Sequence, residues 1–379
     1  MFLLFSFLLS AEIVSNGMAP SNAVPLKIVH EFTIGDGSEE DLYFSEGVRL
    51  TADQDHIFVL DPGNFRVIVF DQKGKQKNEF GRQGQGPGEF QAPNAIALTS
   101  KGQIAVFDTG AKRVSFFDKE GNLQSETRFE QGIQHIEQPH FLGNGNLVMT
   151  AIKTDAQFQM TYDFSMYDDQ AAVLKKFHSA KLPPTDWSKA GEPNFWVEFL
   201  VNQFEAVATG FTVGVPLGDQ SGVAMMTNTE FKGDILSKDG TVKSSFQKEY
   251  KPKGFSGKAK FNYCEGQWEA MTANPFLAPN IKRPVFEKAV EKASLPDFLL
   301  PVSGLFRLGQ GFGVISNFDP LTEEGRLDYF DSTGHVKGYA DFKGPKDDVF
   351  GLGSRLYTIG TNEEDGLVVM VYRIDGLPK

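Results

Sequence analysis

Apolar residues recur along most of this chain in short alternating or continuous runs. IFVLD, RVIVFD, IAVFD, RVSFFD, RLDYFD and LVVMVYRI are rich in β-branched and aromatic residues and are bounded by Gly, Pro, Asn or Asp. Runs of that length between turn residues predict strands. Two segments depart from the pattern. In RPVFEKAVEKASLP (283–296), Val285, Phe286, Ala289, Val290 and Ala293 fall at helical spacing, which predicts an amphipathic helix. Residues 1–9, MFLLFSFLL, are unbroken apolar, too short to span a bilayer and followed by small residues, as in a secretory leader.

The strand runs repeat. IFVLDPGNFRVIVFDQKGKQ from Ile57 and IAVFDTGAKRVSFFDKEGNL from Ile104 align without a gap, pairing Asp61 with Asp108, Arg66 with Arg113, Phe70 with Phe117 and Gly74 with Gly121. A period in the forties with several short strands per unit predicts the blades of a β-propeller. MTYDFSMYDD (160–169), GDILSKDGTV (233–242) and RLDYFDSTGHV (326–336) read as weaker copies of the third strand with its turn. The last strands, RLYTIG (355–360) and LVVMVYRI (367–374), lack a fourth, whereas LKIVHEFTIG (26–35) stands alone near the N-terminus. The N-terminal strand can therefore close the ring as the outer edge of the final blade, giving six blades and removing a sheet edge. KAKFNYCEGQ (258–267) offers a strand for a seventh.

The segment FGRQGQGPGEFQAPNAIALTSKGQIAVFDTGAKRVSFFDKEG (80–121) resembles an NHL-type repeat, in particular that of bacterial exported six-bladed propellers with a G-x-G-P-G-E-F connector between blades. The likeness is clear over roughly residues 45–130. It implies an exported, all-β, six-bladed propeller. Gly86-Pro87-Gly88 reads as a chain reversal and a fold signature. Glu46-Gly47 followed by LTADQDHIFVLD resembles the opening of gluconolactonase-like propellers, whose metal is held by Glu, Asn and Asp from different blades; the resemblance carries over Glu46 alone.

Composition narrows the chemistry. The single cysteine, Cys264, excludes a disulfide framework, a multi-Cys zinc module and a thioredoxin-like pair. A formal charge of −12 works against binding a phosphate backbone, so no nucleic-acid partner is expected. Nucleophile-elbow, Walker and H-E-x-x-H patterns are absent from the sequence. The organisation expected is a leader over 1–23, with cleavage after Ala11 or Ala23, and one propeller domain over 24–379. No membrane span is expected, and the protein reads as a periplasmic or secreted monomer.

Function is sought in the unequal loops. The three-to-four turns, DQKG, DKEG, SKDG and DSTG, are short and alike, whereas two blade-to-blade connectors are long, about 182–203 and 251–297. They hold all three tryptophans, Trp187, Trp196 and Trp268, and Cys264, and read as lids over the channel mouth, with Trp187, Trp196, Trp268, His140 and Asn94 as candidate ligand contacts. The expected role is non-catalytic recognition of a small ligand or an extracytoplasmic protein. The alternative is a lactonase-like hydrolase or lyase using a divalent cation, Ca²⁺ or Zn²⁺, on Glu46, Asn94 and His140. Otherwise no cofactor is expected. Asp319, Glu323, Glu324, Glu363, Glu364 and Asp365 make the later two-to-three turns acidic, which suits a cation, although their spacing matches no EF-hand. Asp61 and Asp108, each ahead of a two-to-three turn, are expected to accept turn amides.

Overall fold

The structure, a computed structural model, describes residues 12–36, 42–129, 132–156, 159–206, 212–255, 257–273, 277–319, 322–345, 347–362 and 366–378. The apolar run 1–9, the cleavage position at Ala11 and the acidic residues Glu363, Glu364 and Asp365 lie outside them. Among the described residues the strands form six sheets, each an antiparallel meander of four. The inner strands are Arg49–Ala52, Pro93–Leu98, Ile133–Phe141, Thr212–Pro216, Gly304–Leu308 and Asp347–Leu352. Six blades are thus observed, and KAKFNYCEGQ, the candidate strand of a seventh, is helical.

The closure follows the expectation: Lys27–Ile34 pairs antiparallel with the last strand, Leu367–Asp375, as the outer edge of blade six. The chain before it does more. Glu12–Asn16 adds as a fifth, parallel strand to the outer edge of blade four, and Val24-Pro25 adds in the same sense to blade five. Residues 12–34 therefore strap three successive blades. Asn16 is the wedge: its Nδ2 donates to Gly334 O at 2.9 Å and Gln247 O at 3.1 Å, and its Oδ1 accepts from Val336 N at 2.9 Å. One side chain thereby ties blade four to blade five.

Between blades the core is largely phenylalanine and β-branched. Phe58, Val67, Phe90 and Phe117 fill the space between blades one and two, while Phe246, Phe312 and Phe330 do so between four and five. Phe312 and Phe330 stack at 4.9 Å. Fully burying one such ring stabilises by about 2 kcal/mol. Glycine yields the room at a few points; a Cβ on Gly121, whose φ is +86°, would come within 2.7 Å of the Phe80 ring.

The repeated polar residues hold blades one and two to the connectors that enter them. Asp108 is fully buried and accepts from Gln91 N, Ala92 N and Ala111 N at 2.7–3.0 Å. Arg113 clamps the same connector by donating to Gly86 O and Glu89 O at 2.6 and 2.8 Å, and Arg66 does likewise to Tyr43 O. Within G-x-G-P-G-E-F, Gly88 takes a φ of +73°, Glu89 accepts from Gly86 N, and Phe90 is fully buried between blades. Gly86, Gly88, Glu89 and Phe90 of the motif each have a structural task here.

Candidate functional site

The inner strand of blade three puts the channel's titratable groups in place. In its register with the second strand, His135 opposes Ile152, Glu137 opposes Thr150 and His140 opposes Val148. A bulge between Glu137 and His140, with Gln138 at φ +46°, inserts one residue. Simple alternation would separate His135 and His140, five apart, onto opposite faces. The bulge returns them to one face, at two different depths of the channel.

At the connector side, Asn94 donates from Nδ2 to His135 Nδ1 at 3.1 Å and to Ile136 O at 2.8 Å. The proton of neutral His135 then sits on Nε2, which is 3.8 Å from Glu137 Oε1. Burial pushes His135 down to about 4, with the Arg49 charge adding to the effect. Glu137 is raised by burial, opposed by Arg49. Glu137 nevertheless keeps 38% of its side chain open to the channel, so a ligand can reach it. The mouth here is a cavity of about 600 Å³. Glu46, Glu137 and Glu323 line it, and Arg49 is the one cation among its described lining residues.

The other end of the channel differs. His140 lines a second cavity, of about 440 Å³, with Arg307 and Phe350. Burial pushes His140 down to about 3, helped by the Arg307 charge. A waist of about 30 Å³, bounded by Arg49, Ile96, Gln138, His140 and Phe350 among others, lies between the two. Glu46 thus lines the connector mouth, Asn94 is tied to His135, and His140 faces the opposite chamber. Among the described residues, the one group of three acidic or histidine side chains close enough to share a cation is Asp53, Asp55 and His56, outside that trio. Asp53 is already engaged there, accepting from Asp55 N and His56 N and paired with Lys119.

The two insertions form a helical cap. Helix α1 (Phe195–Ala206) comes from the first, and α2 (Gly257–Ala273) and α3 (Arg283–Lys292) come from the second. Helix α3 opens with Pro in its first turn, where a missing N–H costs nothing, and buries Phe286 and Ala289. The buried set, including Phe195, Leu200, Phe204, Cys264 and Phe286, comes from the insertions alone. Trp268 meets Phe286 at 4.9 Å beneath Arg283, whose guanidinium grips Glu265 at 2.6 and 2.8 Å. Trp196 packs edge-on to Phe195 and Phe199, and Trp187, 43% exposed, rests on the same rings. None of the three tryptophans is among the residues lining either channel cavity. Burial pushes the Cys264 thiol up to about 12, which keeps it protonated.

The acidic turns divide as well. Asp319 pairs with Lys253 at 3.2 Å, on a stem fixed by Asn317 to Lys251 and Lys253, and Glu324 pairs with Lys343. Only Glu323 of the described three reaches the mouth. Arg49, Glu137 and Arg307 are channel residues that the sequence reading passed over. The visible signal for Arg307 was one charge inside the apolar inner strand GLFRL.

A protein-family model, DUF5128, described as a 6-bladed beta-propeller, matches residues 39–183. Among solved structures, the chain resembles a Bacteroides fragilis protein described as exported, with 13% identity and a TM-score of 0.53, over 96% of this chain and 100% of that one. It also resembles a member of the duf4221 family from Bacteroides vulgatus, with 11% identity and a TM-score of 0.50, over 93% and 99%. A virginiamycin B lyase from Staphylococcus aureus aligns with a TM-score of 0.43 at 8% identity, over 91% and 99%. At these identities the likeness to the two Bacteroides proteins is one of fold.

Proposed function

We propose that this protein is an exported binding propeller that captures a small, positively charged, donor-rich ligand at the connector-side mouth of its channel. One observation carries the reading: a cavity of about 600 Å³ lined by three glutamates against one arginine. Acceptors in a concave, partly desolvated site favour ammonium or hydroxyl donors, because the local dielectric strengthens each contact. Arg49 holds Glu137 toward its ionised form against the cost of burial.

The separation of Glu46, Asn94 and His140 favours recognition over metal-dependent hydrolysis. The tryptophans serve the reading indirectly. Packed into a cap of their own, they stiffen the connectors from which Val302 and Ser303 enter the mouth. Export rests on the N-terminal apolar run, and a structural neighbour is described as exported. No described helix is long and apolar enough to cross a membrane. The covered outer edges of blades four and five support a monomer. The repeat and connector favour NHL-type kinship.

The test is calorimetric titration of the full chain with spermidine at low salt. Binding that weakens about tenfold or more in Glu137→Gln and Glu46→Gln supports the reading, on the basis that each charge-assisted contact contributes about 1.5–3 kcal/mol. Equal binding by both variants, or none by the native protein, removes it.

A further inference from the structure

Among the described residues, Arg307 has no acidic partner in the opposite chamber. Its Nε donates to Gly351 O at a long 3.4 Å, and its guanidinium lies 5.9 Å from the Phe350 ring. Burial lowers its pKa, and no acidic group among the described residues opposes that effect. The one carboxylate among the described lining residues, Asp53, is bound to Lys119 and two backbone amides. His140 beside it is neutral at physiological pH, because burial and Arg307 hold its pKa near 3. A desolvated guanidinium normally acquires a carboxylate or phosphate, since leaving it unpaired costs several kcal/mol.

We infer that the chamber of about 440 Å³ at this end of the channel is an anion site, in which Arg307 receives the carboxylate of a small organic acid and the surrounding apolar wall receives its body. The planar fork of Arg307 matches a carboxylate with two parallel hydrogen bonds. Among the described lining residues one charge, that of Arg307, is left unpaired, so a monoanion is matched and a dianionic phosphate is not. The apolar part of the lining favours a ligand with a carbon body: Leu98, Leu142, Pro216, Val349, Phe350 and Leu352 share the cavity wall with Arg307 and with the neutral polar side chains of Thr51, Thr99, Ser100 and Gln220. This site is separate from the connector-side mouth, across the waist at Gln138 and His140. It takes ligands of opposite charge, so either site can fail without the other.

The experiment titrates the full chain with hexanoate, hexanamide and inorganic phosphate, by calorimetry and thermal shift. Hexanoate is expected to bind and raise the melting temperature, while hexanamide and phosphate do neither. In Arg307→Met, hexanoate binding falls at least about tenfold, consistent with loss of a bidentate ionic contact. The ligand-free variant melts at the native temperature or above it, because a half-buried charge with no acidic partner among the described residues has been removed. Arg307→Lys keeps the charge, loses the fork and binds at an intermediate level. Equal binding of hexanoate and hexanamide overturns the proposal, as does undiminished binding in Arg307→Met. A preference for phosphate overturns the assignment to organic acids. A Met variant that melts well below the native protein makes Arg307 a structural group, and the proposal falls.

Discussion

Asn94 of blade two donates to Nδ1 of His135 in blade three at 3.1 Å, and this bond decides which nitrogen of the imidazole carries the proton facing Glu137. Asn94→Ala frees Nδ1 and leaves Ile136 O without its side-chain donor. The expected loss of stability is about 1–2 kcal/mol, read by denaturant titration. A double-mutant cycle with His135→Ala should show coupling of about 0.5 kcal/mol or more; strictly additive effects would contradict the bond.

The two channel histidines predict a pH dependence with a definite sign. Both have folded pKa values below the ordinary 6.5, about 4 for His135 and about 3 for His140, so the unfolded chain takes up protons that the folded one refuses. Their contribution is complete above pH 6.5 and is lost progressively as pH falls toward 4 and then 3. Glu137, raised by burial, works in the opposite sense and gains as pH falls. The melting temperature should decline between pH 6.5 and 4.5, where most carboxylates are still ionised. A His135→Gln, His140→Gln double variant should flatten that limb, and an unchanged slope would show that other groups set it.

Asp108 accepts from three backbone amides while fully buried. Replacement by Ala strands those donors, at a cost of about 3–5 kcal/mol to be read by chemical denaturation. Asp108→Asn should recover part of the loss, since it keeps one acceptor.

The N-terminal strap bears on processing. Cleavage after Ala23 would remove Glu12–Asn16 and uncover the outer edge of blade four, whereas cleavage after Ala11 would keep the strand. Val14 is buried in the core between blades four and five, and Asn16 is bonded to both. If a leader is removed, the expected mature N-terminus is therefore at or before Glu12, checked by mass spectrometry of the protein recovered from cells expressing the full chain. Asn16→Ala should destabilise by about 1–3 kcal/mol. A mature chain that begins at Val24 and is equally stable would sink this assignment.

The cap predicts distinct roles for its tryptophans. Trp268→Ala opens a void against Phe286 and removes the face beneath Arg283, and it should destabilise by about 3–5 kcal/mol. Trp187, half exposed at the rim, should cost less, about 1–2 kcal/mol. Hydrogen exchange localised to α1, α2 and α3 would verify that the loss stays within the cap.

Blade number, the closing strand, the role of the glycine connector and helix α3 were legible because each rests on local periodicity or on a turn residue that few others can replace. Asp61 and Asp108 were read as capping their own turns. Asp108 caps its turn through Ala111 and also reaches back to the connector at Gln91 and Ala92, and Asp61 likewise reaches Ser45. The distant bonds had no local signature. The two insertions form helices, with Trp187 and Trp196 packed against each other and Trp268 against Phe286.

By itself the sequence determined a closed ring of repeated sheets, six by the count of strands with a seventh left open at KAKFNYCEGQ, because alternation, turn chemistry and a 47-residue period are properties of neighbouring residues; only the fold made that segment helical. Tertiary structure decided which groups share the channel. A single inserted residue at Gln138 turned His140 onto the face of His135 while leaving it in another chamber, and a register shift of that kind moves every side chain beyond it. It also decided that Arg307 would lie half-buried in a chamber with no acidic partner among the described residues. Pairing of charge depends on what lies across the axis, and residues from different blades meet there only once the ring has closed.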